Sequence, residues 1–185
     1  MSTMRRVVVV GGSGSGKTSF ARELASRLGL RHLEMDSVFH QHGWADDASA
    51  EFLPTLDRFT ADDGWVVDGN YGRHGIRDVV WARADTIVWL DVPRWTAMTR
   101  VVRRTLRRLV TREKLWGGVR EPFTNLYSLD PNRNIMVWTW SRHQQTRETF
   151  EEVLADGDWD HATVQRLRTS AEVSRFLDSL TGVQN

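Results

Sequence analysis

The most constraining feature of the chain is the stretch GGSGSGKT at residues 11–18, which directly follows the run RRVVVV. It matches the pattern G-x-x-x-x-G-K-[ST]. A short β-branched run closed by glycine predicts a buried strand, and residues 17–29 have the apolar spacing of a helix. Glycines let backbone N–H groups turn inward around a phosphate, where side chains would block them. The order strand, glycine loop, helix therefore predicts a phosphate-binding loop rather than a linker.

The residues of this loop have separate predicted roles. The backbone of the first six forms the predicted phosphate cradle: Gly11, Gly12, Ser13, Gly14, Ser15 and Gly16. Lys17 is expected to reach the β- and γ-phosphates of ATP, and the Thr18 hydroxyl is expected to ligate Mg²⁺. The N-terminus of the following helix adds a dipole that favours an anion. The motif therefore predicts ATP and Mg²⁺ as cofactors.

The bulk properties narrow the class of protein. A chain of 185 residues suits one domain, residues 1–185, with a full hydrophobic core. The net charge of +1 gives no overall attraction to nucleic acid or to a membrane. Cysteine is absent, which excludes disulfides and thiol nucleophiles and fits a cytoplasmic protein. No apolar run has the length of a secretory signal or a membrane span, so no membrane association is expected.

Strand and helix patterns alternate along the chain. Apolar runs predict five strands, at residues 5–10, 31–36, 65–69, 85–92 and 163–168. Most of the remaining segments have helical patterns, with Asp91 and Ser170 as the predicted N-caps of two of the helices. This order predicts an α/β fold in which βαβ units form a five-stranded parallel sheet with helices on both faces. Ligands of such sheets bind at the carboxyl ends of the strands.

Two aspartates follow predicted strands at that edge. Asp68 ends the run WVVD and is a candidate for holding Mg²⁺, directly or through water; the alternative is an ordinary Asp-Gly turn. Asp36 follows the second strand and is a candidate for accepting a hydrogen bond or a proton from a substrate hydroxyl. The alternative for Asp36 is an N-cap of the following turn.

Arginines supply the other candidates. Arg73 and Arg77 lie four residues apart and would grip an anionic acceptor from one helix face; solvated surface arginines are the alternative. A second group forms a stripe on one helix: Arg100, Arg103, Arg104, Arg107 and Arg108. Three interpretations of this stripe stay open: a lid over about residues 100–134, a nucleic-acid-binding face, or a solvated helix. The glycines and prolines after the stripe favour a lid, which Arg142 and Arg147 would join.

Several stretches together carry a family resemblance. They are GGSGSGKT, HLEMDSVFHQHGW, WVVDGNYGRHGIRDVVWARADTIVWLDVPRWTAMTRVVRR, REKLWGGVREPF, IMVWTW and RETFEEVL. In this order they resemble the adenylate-kinase-related P-loop proteins of bacteria known as the topology-modulation, or FlaR-type, group. The resemblance implies a nucleoside-monophosphate-kinase fold of the P-loop NTPase class, with strand order 2-3-1-4-5. It also implies an acceptor-binding segment over about residues 36–64.

The resemblance also implies roles for individual residues. ATP and Mg²⁺ would bind at residues 11–18 and at Asp68, and the lid arginines would be Arg100 and Arg104, with Arg147 on the helix after the lid. Adenine would lie near Arg168, and Gly69 beside the acceptor. Adenylate kinases have Asp-Gly-Phe-Pro-Arg where this chain has Asp-Gly-Asn-Tyr-Gly at residues 68–72, so the Pro-Arg that helps to hold AMP is missing.

Together these features predict an ATP-dependent small-molecule kinase. The acceptor would be a nucleotide, a nucleoside or another small hydroxylated compound, and nothing in the sequence fixes an oligomeric state. A nucleic-acid-binding regulator that also binds nucleotide is a less favoured alternative, supported by the arginine stripe. An ATPase without an acceptor is a third interpretation.

Overall fold

The computed structural model describes residues 4–41, 48–70, 75–111 and 135–181. The strands are β1 (Arg6–Gly11), β2 (Arg31–Glu34), β3 (Trp65–Asp68), β4 (Thr86–Leu90) and β5 (Thr163–Leu167). The helices are α1 (Lys17–Leu28), α2 (Met35–Gln41), α3 (Ala48–Ala61), α4 (Ile76–Val79), α5 (Arg94–Thr111), α6 (Ile135–Ala155) and α7 (Ser170–Thr181), with a 3₁₀ turn at Trp81–Arg83. In the described residues, no helix is long and apolar enough to cross a membrane.

The five strands form one parallel sheet in the order β2-β3-β1-β4-β5. Both the α/β class and this strand order confirm the prediction. The order places β1 at the centre, between β3 and β4. As a result, the loop that leaves β1 emerges in the middle of the sheet's carboxyl edge, where parallel sheets bind their ligands.

Two hydrophobic clusters cover the two faces of the sheet. One face packs against α1 and α7, through residues such as Phe20, Leu24 and Leu177. The other face packs against α2, α3, α4 and α6, through residues such as Phe52 and Phe150. Helices on both faces explain why β1 and β3 are continuous apolar runs, since both faces of each strand are buried.

The second strand and two helix caps differ from the prediction. β2 ends at Glu34, and Asp36 lies in the first turn of α2 rather than on a strand end. The cap of α7 is Thr169, because its Oγ1 accepts the N–H of Glu172 (3.1 Å). The predicted cap Ser170 instead accepts a hydrogen bond from Arg100 (3.1 Å).

Asp91 is also not a helix cap. α5 begins three residues later, at Arg94, and the Asp91 carboxylate turns toward arginines of other elements. The position before a proline and a helix is a local capping signal. Long-range ion pairing overrides that signal at this residue.

Candidate functional site

The phosphate-binding loop, residues 11–18 (the P-loop), lies beside the carboxyl ends of β2 and β3. The strand register pairs Glu34 with Asp68, and Val9 of β1 with Asp68. The loop itself is tightly turned: the N–H of Ser15 donates to the carbonyl of Gly12 (3.2 Å), and Gly14 and Gly16 have φ of 76° and 93°. Glycine tolerates such positive φ values without strain.

Lys17 points back over the loop. Its Nζ donates to the carbonyl oxygens of Gly11 (2.7 Å) and Gly12 (3.2 Å). Burial lowers the pKa of Lys17 below its usual value of 10.5, and Arg104 acts in the same direction, whereas Asp36 and Asp68 oppose the shift. The ammonium group therefore lies in a region where burial disfavours its charge.

Thr18 and Asp68 are in direct contact. The Thr18 hydroxyl donates to Asp68 Oδ2 (2.8 Å), and the His32 Nε2–H donates to Asp68 Oδ1 (2.8 Å). Both oxygens of Asp68 therefore have protein partners, and its side chain is only 2% exposed. The described part of the chain contains no group of three or more His, Asp or Glu side chains that could hold a metal ion. A hydroxyl and a carboxylate at this spacing fit a partial Mg²⁺ set that phosphate oxygens and water would complete.

Glu34 belongs to this site although the sequence analysis did not select it. Its Oε1 lies 3.3 Å from the Thr18 hydroxyl oxygen, whose hydrogen is donated to Asp68. Burial raises the pKa of Glu34 above its usual 4.5, and the neighbouring carboxylates of Asp68 and Asp36 raise it further. Three carboxylates thus lie close enough to interact beside the P-loop.

The raised pKa of Glu34 predicts how the stability of the protein changes with pH. Between 4.5 and the raised value, the folded protein binds more protons at Glu34 than the unfolded chain does, so stability falls as pH rises through this window. We expect Glu34→Gln to raise the Tm at pH 7 and to have no such advantage below pH 4.5, measured by thermal unfolding across pH. The exposed Glu152→Gln is the control. A Glu34→Gln advantage that does not depend on pH would contradict this explanation.

Arg100 links the P-loop to the start of α7. Its Nη1 donates to the carbonyl of Ser15 (2.6 Å), and its Nη2 donates to Ser170 Oγ at the start of α7 (3.1 Å). Arg104, one turn further along α5, is near enough to Lys17 to lower the pKa of its ammonium. These two arginines of the predicted stripe thus interact with the P-loop.

Arg147 reaches the loop from α6. It lines a small cavity together with Gly12, Ser13 and Ser15. Its Nε lies 3.3 Å from Glu151 Oε1 and 3.7 Å from Asp91 Oδ1. The structure therefore places this arginine of the helix after the predicted lid beside the P-loop, but already paired with carboxylates.

Asp91 is the centre of a cluster of arginines, which we call the Asp91 cluster: Asp91, Arg147, Arg166 and Arg168. The Asp91 side chain is 5% exposed. Arg166 donates to Asp91 Oδ2 through Nε (2.9 Å) and Nη2 (2.7 Å), and the Arg168 Nε lies 3.6 Å from the same oxygen. Arg168, predicted beside adenine, thus lies at the carboxyl end of β5 with its side chain near Asp91.

Arg77, for which an acceptor role is predicted, contacts Asp158 and Trp81 rather than the P-loop. Its Nη1 pairs with Asp158 Oδ2 (2.7 Å), and its guanidinium lies over the Trp81 ring (5.5 Å). Asp158 precedes β5, at the amino edge of the sheet, opposite the P-loop. Arg73, residues 42–47 and the 112–134 part of the predicted lid fall outside the described residues. Gly69 directly follows β3 with φ of 150°, and packs against Met35.

The site contains further residues that the sequence analysis did not select. Besides Glu34 and Asp91, they are His32, which binds Asp68, and Asn70, which binds both backbone groups of Gly11. Their sequence signal was only a position within or next to a predicted strand. That signal also applies to ordinary surface residues.

Comparisons with known proteins support the fold. No protein-family model and no curated protein matches the chain. A shikimate kinase structure from Acinetobacter baumannii, in complex with shikimate, is 16% identical, with a TM-score of 0.54 and coverage of 99% of this chain and 97% of that one. A sugar kinase from Janibacter is 20% identical (TM-score 0.50; 97% and 91% covered). A deoxyadenosine kinase from M. mycoides with bound dCTP is 11% identical (TM-score 0.51; 96% and 99% covered). The chain therefore has the fold of the P-loop kinases, whereas membership of the topology-modulation group stays a prediction.

Proposed function

We propose that this chain is an ATP-dependent kinase that transfers the γ-phosphoryl group to a small hydroxylated acceptor. The observation that carries the proposal is the contact between the Thr18 hydroxyl and the Asp68 carboxylate, one residue from Lys17. A lysine for phosphates and a hydroxyl–carboxylate pair for a metal are the parts that P-loop phosphoryl transfer requires. They occur together at the edge of the sheet where ligands of this fold bind.

The donor side is assigned to residues of the P-loop and the two helices beside it. Lys17 would leave the carbonyls of Gly11 and Gly12 and bind the β- and γ-phosphates of ATP. Mg²⁺, held by Thr18 and by Asp68, would neutralise charge on those phosphates. Arg100, Arg104 and Arg147 would neutralise the charge that develops during transfer, which is the main contribution a protein makes to this reaction.

The acceptor side is assigned to the segment of about residues 36–64. Asp36 lies in the first turn of α2, and its carboxylate is close enough to affect the pKa of Lys17. From there it would accept a hydrogen bond or the proton of the acceptor hydroxyl. The structures with this fold include kinases of shikimate, a sugar and deoxyadenosine, by their names. A small hydroxylated acceptor is the class that fits all three, and the resemblance to adenylate-kinase-related proteins adds nucleotides to it.

A coupled ADP-release screen tests the proposal. The protein is incubated with ATP and Mg²⁺ and a panel of nucleoside monophosphates, nucleosides, sugars and hydroxy acids, with Lys17→Met as the blank. We expect at least one class to accelerate ADP release above the acceptor-free rate. ADP release that no member of a broad panel accelerates would instead support an ATPase.

A salt titration tests the nucleic-acid alternative. Binding through an arginine face depends steeply on salt and persists at physiological ionic strength only if many phosphates are contacted. We expect weak DNA binding at physiological salt. Tight binding with a steep salt slope would contradict the kinase assignment and favour a regulator.

Replacing Asp36 separates the chemical step from donor binding. We expect Asp36→Asn to lower acceptor-dependent ADP release by about 10²–10⁴-fold, the usual contribution of a general base. The affinity for ATP should change little, as measured by equilibrium titration. Asp156→Asn, an exposed aspartate at the end of α6, removes the same charge far from the P-loop and serves as the control. Retained turnover in Asp36→Asn would show that the acceptor is activated by another group.

A further inference from the structure

Asn70 binds the first residue of the P-loop through both ends of its side-chain amide. Its Oδ1 accepts the N–H of Gly11 (3.1 Å), and its Nδ2 donates to the carbonyl oxygen of Gly11. The two partners fix the orientation of the amide, because the reverse orientation would place donor against donor and acceptor against acceptor. Asn70 is itself exposed and follows β3 by two residues.

The side chain of Asn70 continues the sheet where the backbone of β3 turns away. The β1–β3 pairing ends at Val9 and Asp68, and the N–H of Gly69 then donates to the carbonyl of Val9 (3.2 Å). Gly69 has a φ of 150°, and a Cβ at this position would lie 2.8 Å from the Met35 Cβ. Because the backbone diverges there, the Asn70 amide takes the place of the next strand residue opposite Gly11.

Lys17 and Asn70 share one acceptor. The Gly11 carbonyl receives hydrogen bonds from Lys17 Nζ (2.7 Å) and from Asn70 Nδ2. A carbonyl oxygen has two lone pairs and can accept both. When Lys17 moves to the phosphates of ATP, its hydrogen bond to Gly11 is lost. If the Gly11 carbonyl had no other donor, losing Lys17 would leave it unsatisfied and cost free energy. The hydrogen bond from Asn70 therefore determines how readily Lys17 can leave.

We propose that Asn70 is a positioning residue that keeps the Gly11 carbonyl hydrogen-bonded and thereby releases Lys17 to bind the phosphates of ATP. The inference rests on the proposed nucleotide-binding function and assigns Asn70 a part in it. Asn70 acts through Lys17 and the P-loop and does not itself touch the nucleotide. Residues 70–72 are where this chain departs from the adenylate-kinase pattern. The first of them, Asn70, would thus contribute to binding ATP rather than the acceptor.

A double-mutant cycle between Asn70 and Lys17 tests this role. The affinity for ATP is measured by equilibrium titration, into the millimolar range, for wild type, Asn70→Ala, Lys17→Met and the double variant. We expect Asn70→Ala to weaken ATP binding roughly tenfold when Lys17 is present, the usual effect of one such hydrogen bond. In the Lys17→Met background the same change should weaken binding less than about twofold, because there is no lysine to release. Gln144→Ala removes a surface amide on α6 and is the control.

The cycle separates three results. An equal loss in both backgrounds would show that Asn70 only holds the loop in shape, and would overturn the inference. Unchanged ATP affinity in Asn70→Ala, with a wild type that binds ATP, would also overturn it while leaving the proposed function intact. A wild type that does not bind ATP would overturn the proposed function and the inference together. Thermal unfolding of each variant verifies that the proteins compared are folded.

Discussion

Lys17→Met should lower acceptor-dependent ADP release by about 10²–10³-fold, the usual cost of removing one group that stabilises charge in the transition state. It should not lower the thermal stability of the ligand-free protein. Burial lowers the pKa of Lys17, which means that the folded state disfavours the charged side chain at neutral pH. Replacing the ammonium with an uncharged side chain removes that cost. The expected result is an inactive protein whose Tm equals or exceeds that of wild type.

The control for this prediction is Arg22→Met, which removes one positive charge from an exposed position of the same helix. It should leave ADP release near the wild-type rate. ADP release and Tm are measured on the same preparations. A Lys17→Met protein that keeps wild-type turnover, or one that loses activity only because its Tm collapses, would contradict the assignment of Lys17 to the phosphates.

Gly14→Ala should destabilise the protein by about 3 kcal/mol, because strained backbone and a steric overlap add at this position. Gly14 has a φ of 76°, and an added Cβ would lie 2.4 Å from the carbonyl oxygen of Ala97 and 2.8 Å from Val101 Cγ2. The overlap is with the backbone of α5, which cannot move without displacing the helix that carries Arg100 and Arg104. The free energy of unfolding is measured by urea denaturation.

Gly29→Ala separates the two contributions. Gly29 caps the end of α1 with a φ of 65°, and apart from its chain neighbours no other described residue has an atom within 4 Å of an added Cβ. This variant therefore has the backbone strain without the overlap, and we expect it to cost about 1 kcal/mol. Equal costs at the two glycines would show that α5 does not pack against the P-loop as closely as the structure indicates.

The fold and the position of the P-loop within it could be predicted because their signals are local. The glycine loop at residues 11–18 has a sequence pattern of its own, and the buried strands are short apolar runs. The strand order came from the family resemblance and is confirmed by the pairing of β1 with β3 and β4. The Thr18–Asp68 contact follows from the order of elements, since both residues lie at the carboxyl edge of the same sheet.

The rest depends on contacts between residues that are distant in sequence. Glu34 is a charged residue inside the predicted second strand, and only its register with Asp68 places it beside Thr18. Arg77 was expected at the acceptor because it lies near Asp68 in sequence, yet its partner Asp158 is 81 residues away. Local patterns contain no information on which distant carboxylate an arginine meets, so the direction of an exposed, long side chain could not be predicted.

The Asp91 cluster has a consequence for the proposed binding of phosphates at this edge of the sheet, because an anion would have to exchange partners with carboxylates there. Arg166 is bound to Asp91, and Arg147 also lies near Asp91 and Glu151. An incoming anion gains Arg147 only by competing with carboxylates that already hold it. A weakly charged anion would gain less interaction energy with Arg147 than the carboxylates lose. A polyphosphate has several charged oxygens and would gain more. For the proposed nucleotide ligand, the carboxylates around the P-loop would thereby favour anions of high charge density.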